Sequence, residues 1–215
     1  YGLARRGICV AIADEGDVAY RAARGNFSLV WVHGKGGGFP RYASWTRTSV
    51  DLWPAFAAEL NSNTDINVGY SKRGAVHICF SDDEMAIQRA RLELVAAEAE
   101  PLNINPGVEF EMLERPALDK LMPGLGPDVV GASFSAIDGH CNSLMLHEAL
   151  LKSFRKFGGD YLPNHRVIDI KPRGRGFALK VGLEEIICSR TVLAGGIANS
   201  WLGPMIGMDV PVKAL

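Results

Sequence analysis

Ile8-Cys9-Val10-Ala11-Ile12-Ala13, closing in Asp14-Glu15-Gly16-Asp17, is the stretch whose reading decides the fold. Its unbroken apolar character, its length and its β-branched residues predict a parallel strand buried on both faces. Upstream, Tyr1-Gly2-Leu3-Ala4-Arg5-Arg6-Gly7 reads as the end of a helix. Arg5 and Arg6 suit the negative end of the helix dipole, and Gly7 suits the position just past the last turn. Helix end, glycine, buried strand and acid together make the second half of a βαβ unit.

Working outward, residues 21–40 are glycine-rich and read as loop. From Tyr42 to Leu60 the spacing of Trp45, Leu52, Trp53 and Phe56 predicts a helix, interrupted or kinked at Pro54. Residues 68–70 and 75–80 flank Ser71-Lys72-Arg73-Gly74 and read as a β-hairpin. Ser81 and Glu84 form a capping box for a helix running to Glu100, and a short helix begins near Leu113. A strand over 129–134 is followed by an Asp138-Gly139 turn, then by a helix capped by Asn142 or Ser143. Residues 165–170 read as a strand, 177–181 and 185–188 as a hairpin, and 191–196 as a buried strand ending in a glycine turn. The order predicts an α/β fold: a partial Rossmann-like nucleotide domain interleaved with an α+β domain that contains an antiparallel sheet. The expected divisions are 1–41 and 136–200 for the first, 42–135 for the second, and 201–215 for a return towards the second.

The 215 residues are 47% hydrophobic and 22% charged, enough for a sizeable core in one or two domains. A net charge of -1 offers no broad field to attract nucleic acid or an anionic membrane. No apolar run approaches the ~20 residues that span a bilayer. Cys9, Cys79, Cys141 and Cys188 lack CxxC spacing and are expected to be small buried hydrophobes in a reducing compartment, with the cytoplasm the default location. His33, His77, His140, His147 and His165 share no metal-ligand spacing, so no metal site is expected and structural or surface roles are assigned to all five.

Three clusters carry candidate chemistry. Asp14 stands at the carboxyl end of the first strand, where an acid accepts hydrogen bonds from ribose hydroxyls in dinucleotide-binding folds. Taken alone it reads as a surface acid in a strand-to-loop turn, and Glu15 leaves the assignment ambiguous by one residue. Arg21, Ala22, Arg24, Gly25 and Asn26 combine small residues, which let backbone N–H groups approach a phosphate, with guanidinium donors. An ordinary basic loop has the same composition. Ala194, Gly195 and Gly196 follow a strand where the missing side chains permit close backbone approach to a ligand, or simply turn the chain. Gly34-Lys35-Gly36 lacks the GxxxxGK[ST] spacing of a phosphate loop.

In order and spacing these segments resemble the D-amino-acid oxidase superfamily of FAD-dependent oxidoreductases, which includes glycine and sarcosine oxidases and the flavin subunits of opine oxidases and hydrogen cyanide synthase. Residues 1–14 resemble its first helix and second strand, 21–26 its small-residue flavin loop, and 129–150 its strand, Asp-Gly and helix passage. Arg166-Val167-Ile168-Asp169-Ile170 resembles the strand whose valine backbone meets the adenine. Val192-Leu193-Ala194-Gly195-Gly196 resembles the family's Ala-Ala-Gly turn, and Pro211-Val212-Lys213 the strand that follows. Arg24-Gly25-Asn26-Phe27 is most similar to the opine oxidase and cyanide synthase branch. Two departures stand out: Gly195 where alanine is usual, and Ala198 in place of a tryptophan, with Trp201 nearby.

The resemblance implies FAD as cofactor, contacted by Asp14, Arg21, Ala22, Arg24, Gly25, Asn26, Val167, Ala194, Gly195 and Gly196. It implies oxidation of the CH–NH bond of an amino acid, secondary amine or opine to an imine, in a hetero-oligomer with other oxidase subunits, in the cytoplasm or peripheral to the membrane. It also places the phosphate-binding glycine fingerprint before Tyr1, and the carboxylate-binding residues after Leu215. The chain is therefore expected to be a piece of a longer protein, inactive on its own, and no catalytic residue is identified in it. Two other readings are a non-catalytic fragment or subunit remnant, and an NAD-dependent dehydrogenase. The hairpin-rich middle disfavours the latter, because a second regular βα run would be expected.

Overall fold

The computed structural model describes residues 1–16, 22–23, 25–102 and 109–213. In chain order its regular elements are β1 (Ala11–Ala13), β2 (Leu29–Val30), α1 (Pro40–Thr64), β3 (Ala75–Cys79), α2 (Asp82–Ala99), β4 (Glu111–Glu114), α3 (Arg115–Leu121), β5 (Gly131–Ser135), β6 (Gly139–His140), α4 (Ser143–Lys156), β7 (Asp160–Leu162), β8 (Val167–Arg173), β9 (Gly176–Val181), β10 (Glu184–Cys188) and α5 (Asn199–Leu202). The chain forms two compact units, Tyr1–Arg21 with Phe154–Leu215, and Ala22–Ser153.

In the first unit, Gly7 closes a 3₁₀ turn over Ala4–Arg6 by donating its N–H to the Ala4 carbonyl. β1 then pairs in parallel with β7, Ile12 opposite Tyr161. The parallel pairing was expected; full burial was not found, for Ile8 is 50% and Ile12 38% exposed. Among the described residues β1 has one ladder partner, so the apolar run states a need for cover that these neighbours meet only in part. β8, β9 and β10 form an antiparallel meander with a bulge between Val167 and Asp169, which contains the expected 177–188 hairpin.

Residues 191–196 correct a second expectation. They form no strand; Val192 is 74% exposed, and the segment runs into a 3₁₀ turn at Gly196–Ala198. An apolar pattern reports side-chain preference, whereas a strand also needs a partner for its backbone groups.

In the second unit, β3, β5 and β4 make an antiparallel sheet in that order, packed with α2 and α3. Its core includes Leu118, Val129 and Ala132, with Val76, Ile78 and Leu113 against them. α2 buries Gln88, Leu92, Val95 and Ala99, a stripe at helical spacing. Its start is capped as predicted: Ser81 Oγ accepts the Glu84 N–H at 3.1 Å, and the Glu84 carboxylate reaches back to the Phe80 N–H. α1 runs 25 residues with Pro54 inside it rather than at a break. A second cluster joins Val30, Val32, Val50, Ile137 and Cys141, flanked by the stacked Trp53 and Tyr70.

The expected hairpin over 68–80 is absent. Both segments pair instead with the chain near β5 and β6: Ser71 bridges His140, and β3 lies along β5. Asn67 Oδ1 takes the Gly69 N–H, making a local turn before the bridge. The helix cap after β6 is Asn142, whose Oδ1 accepts the N–H groups of Leu144 and Met145. Two cysteines depart from expectation, Cys9 being exposed and Cys188 half-buried; Cys79 and Cys141 are buried. Among the described residues no helix is long and apolar enough to cross a membrane, and no group of three or more His, Cys, Asp or Glu could hold a metal ion.

Candidate functional site

The first unit brings three of the sequence-predicted features close together. Asp14 follows β1 and is half-buried; its N–H donates to the Leu162 carbonyl at 3.1 Å and its carbonyl accepts the His165 N–H at 2.7 Å. The Asp14 carboxylate takes the Gly16 N–H at 2.8 Å, so the acid is fixed at the strand end by its own turn. Gly16 is buried with φ +87°, and a Cβ there would collide with the side chain of Asn164, itself at φ +60°. Only glycine meets both demands.

Two residues beyond His165 stands Val167, half-buried at the start of β8. Arg166 before it lies 3.7 Å from the Glu15 carboxylate, and its guanidinium covers the Trp201 ring at 5.2 Å. Trp201 belongs to α5, and Asn199 of the same helix fastens the glycine turn: its Oδ1 accepts the Gly195 N–H at 2.9 Å while its Nδ2 donates to the Leu193 carbonyl at 3.1 Å. Asp14, Val167 and the 194–196 turn are thus linked through Glu15, Arg166, Trp201 and Asn199. Ala194, Gly195 and Gly196 are all exposed.

Ala22, Gly25 and Asn26 belong to the second unit and are exposed; the Asn26 side chain accepts the Ser28 N–H. Arg21 and Arg24 lie outside the described residues.

The second unit also holds a cluster that sequence reasoning passes over. Asp138, fully buried, accepts the N–H groups of Val32 at 2.7 Å and His33 at 3.3 Å through one oxygen. Its other oxygen lies 3.7 Å from His33 Nδ1, and these two atoms have no hydrogen-bond partner among the described residues. His33 Nε2 is 2.8 Å from Ser133 Oγ, which also accepts from Gln88 at 3.0 Å. The carboxylate favours the tautomer with its proton on Nδ1, leaving Nε2 to accept from the serine hydroxyl.

Burial, with repulsion from His77 and Arg91, pushes the His33 imidazole down to about 4, so it is neutral at pH 7. Burial pushes the Asp138 carboxyl up, against the pull of its two backbone donors and Lys35. The close pair is therefore not a salt bridge at neutral pH, despite its spacing. The order Ser133, His33, Asp138 has the connectivity of a nucleophile triad, but Ser133 is 0% exposed and occupied by Gln88. No substrate reaches it, and the cluster is a brace.

The brace supports a tight turn at residues 32–35, closed by the Lys35 N–H on the Val32 carbonyl with Gly34 at φ +73°. Arg91 of α2 donates to the Gly34 carbonyl at 2.9 Å. Between this turn, β3 and α2 opens a cleft of about 220 Å3. The signal for it in the sequence was Gln88, a polar residue at the same helical spacing as Leu92, Val95 and Ala99.

The whole chain, residues 1–215, matches the DAO family, described as FAD dependent oxidoreductase. An opine oxidase subunit of Rhizobium meliloti is 40% identical over 213 residues, covering 99% of this chain and 56% of that protein. The corresponding protein of Agrobacterium tumefaciens (strain Ach5) is 39% identical over 214 residues, with the same coverage. The chain thus spans little more than half the length of these relatives. Glycine oxidase from Geobacillus kaustophilus shares the fold with a TM-score of 0.81 at 21% identity, over 95% of this chain and 53% of that one. The fold is accordingly mixed α/β with part of a Rossmann-like FAD domain, and the chain belongs to the DAO family of FAD-dependent oxidoreductases, whose cofactor is FAD.

Proposed function

We propose that the whole protein oxidises the CH–NH bond of an amino acid, secondary amine or opine to an imine, which water then hydrolyses, and that it works in the cytoplasm beside other oxidase subunits. The supporting observation is the 40% identity to an opine oxidase subunit over nearly the entire chain. When bound, FAD supplies the acceptor for the hydride of the substrate C–H bond, which carries the two electrons of the oxidation.

The residues of the first unit suit an adenosine. Asp14 has its side chain set by the Gly16 N–H and stands at the end of a parallel strand, where a carboxylate accepts ribose hydroxyls. The Val167 backbone would approach the adenine, and the exposed backbone of Ala194, Gly195 and Gly196 would lie along the cofactor. Arg21, Ala22, Arg24, Gly25 and Asn26 would form the loop towards the phosphates and flavin. In the same reading residues 1–41 and 136–200 make the flavin domain, 42–135 the substrate domain, and 201–215 lead back to it.

The test is direct. The purified whole protein should be yellow with a flavin absorption spectrum, and anaerobic addition of an opine, glycine or sarcosine should bleach it. Colourless protein would remove the FAD reading; yellow protein bleached by no amine would remove the CH–NH reading alone.

A further inference from the structure

The cleft between the 32–35 turn, β3 and α2 is the strongest unassigned feature of the second unit. Lys35 and Arg91 bring two fixed positive charges to it, and no aspartate or glutamate is among its lining residues. His33 stands at its base as a neutral imidazole, since burial holds its proton affinity far below the usual range. Trp31 and the exposed Leu29 give it an apolar wall, and Gln88 an amide. The Arg91 guanidinium commits one nitrogen to the Gly34 carbonyl, which orients the group and leaves others of its five N–H donors for a ligand. The brace fixes the backbone of the turn and the Gly34 carbonyl fixes the Arg91 guanidinium without a ligand, so ordering these two costs little on binding.

We propose that this cleft binds a small organic carboxylate, its anionic end between Lys35 and Arg91 and its carbon body against Trp31. An anion is favoured because every charge on the lining is positive, and a planar carboxylate matches the guanidinium fork. The apolar wall selects a carbon body over a bare inorganic anion. Its size agrees: about 220 Å3 equals roughly seven waters at ~30 Å3 each, room for a molecule of a few carbons. The proposal stands on residues of the second unit alone and does not depend on the flavin reading.

The experiment titrates the whole protein with sodium propanoate, reading tryptophan fluorescence, and records flavin absorbance in parallel as a separate reporter of the FAD site. Saturable quenching is expected, lost in Trp31→Phe. In Lys35→Gln the half-saturating concentration should rise about tenfold, the effect of one charge-assisted hydrogen bond. Arg91→Gln should do the same, and Arg91→Lys should recover part of the loss. Absence of saturation, equal quenching by methylammonium or by inorganic phosphate, or a response unchanged in Lys35→Gln and Arg91→Gln would each overturn the proposal. Colourless protein that still shows the propanoate response would sink the flavin reading and leave this one intact.

Discussion

The Asp138 carboxylate holds the Val32 N–H at 2.7 Å, tying together two segments far apart along the second unit. The same oxygen reaches the His33 N–H, so one side chain pins the start of the 32–35 turn. Asp138→Ala leaves two buried donors without an acceptor, at a cost of about 1–3 kcal/mol for each group left unsatisfied. Urea denaturation should show a loss of several kcal/mol; a change below ~1 kcal/mol would mean that the turn finds another anchor.

His33 gives the protein an acid-sensitive limb. Its pKa lies at about 4 in the folded state against 6.5 ordinarily, so between those values the unfolded chain binds a proton that the folded chain refuses. The stability it contributes is intact above pH 6.5 and falls as pH drops towards 4, by at most about 1.4 kcal/mol per pH unit. Asp138 acts oppositely: its pKa is raised from 3.8, so its contribution is full at lower pH and lost as pH rises through the folded value. His33→Asn should therefore flatten the stability profile between pH 6.5 and 4. An unaltered slope would assign the limb to another group.

Asp14 serves its turn as well as the proposed ribose. Asp14→Ala should weaken FAD retention by ~1–3 kcal/mol, the range for a buried or charge-assisted hydrogen bond. Asp14→Asn keeps an acceptor for the Gly16 N–H and should lose less. Flavin occupancy of the purified variants is the measurement, and equal occupancy in all three proteins would remove Asp14 from the cofactor site.

Gly16→Ala places a methyl group against Asn164 on a left-handed backbone. The backbone term alone is about 1–2 kcal/mol. A lowered melting temperature and reduced flavin occupancy are expected together; an unchanged melting temperature would mean that the Asn164 side chain swings away freely.

Dinucleotide affinity leans on the pyrophosphate, held by a glycine loop and the helix N-terminus behind it. Residues 1–215 contain no GxGxxG. A polypeptide of these residues alone is expected to bind FAD weakly and oxidise no amine; stoichiometric binding in a fluorescence titration would contradict this.

Much of the fold was legible because local signals agreed with tertiary ones. Ser81 and Glu84 cap α2 as their spacing requires, and the 177–188 hairpin forms where two short, largely apolar runs flank a turn. Residues 68–80 misled because a turn between two apolar runs looks alike whether the runs pair with each other or, as here, with a third segment. Residues 191–196 misled because apolar character cannot announce whether a partner is present. The position of Asp14 at the end of β1 could be read from the acid that closes the apolar run. His33, Ser133 and Asp138 could not, since His33 and Ser133 meet from segments 100 positions apart in sequence.

The pairing of β1 with β7 has a consequence for how the chain is made. The second unit is one continuous stretch, whereas the first is assembled from two pieces on either side of it. On the ribosome, β1 emerges before the whole intervening unit and waits without its β7 partner while that unit is synthesised. Only then does β7 arrive to complete the ladder. Residues 8–13 must therefore stay soluble without the β7 partner until the intervening unit has been made, which gives a holding chaperone reason to cover them.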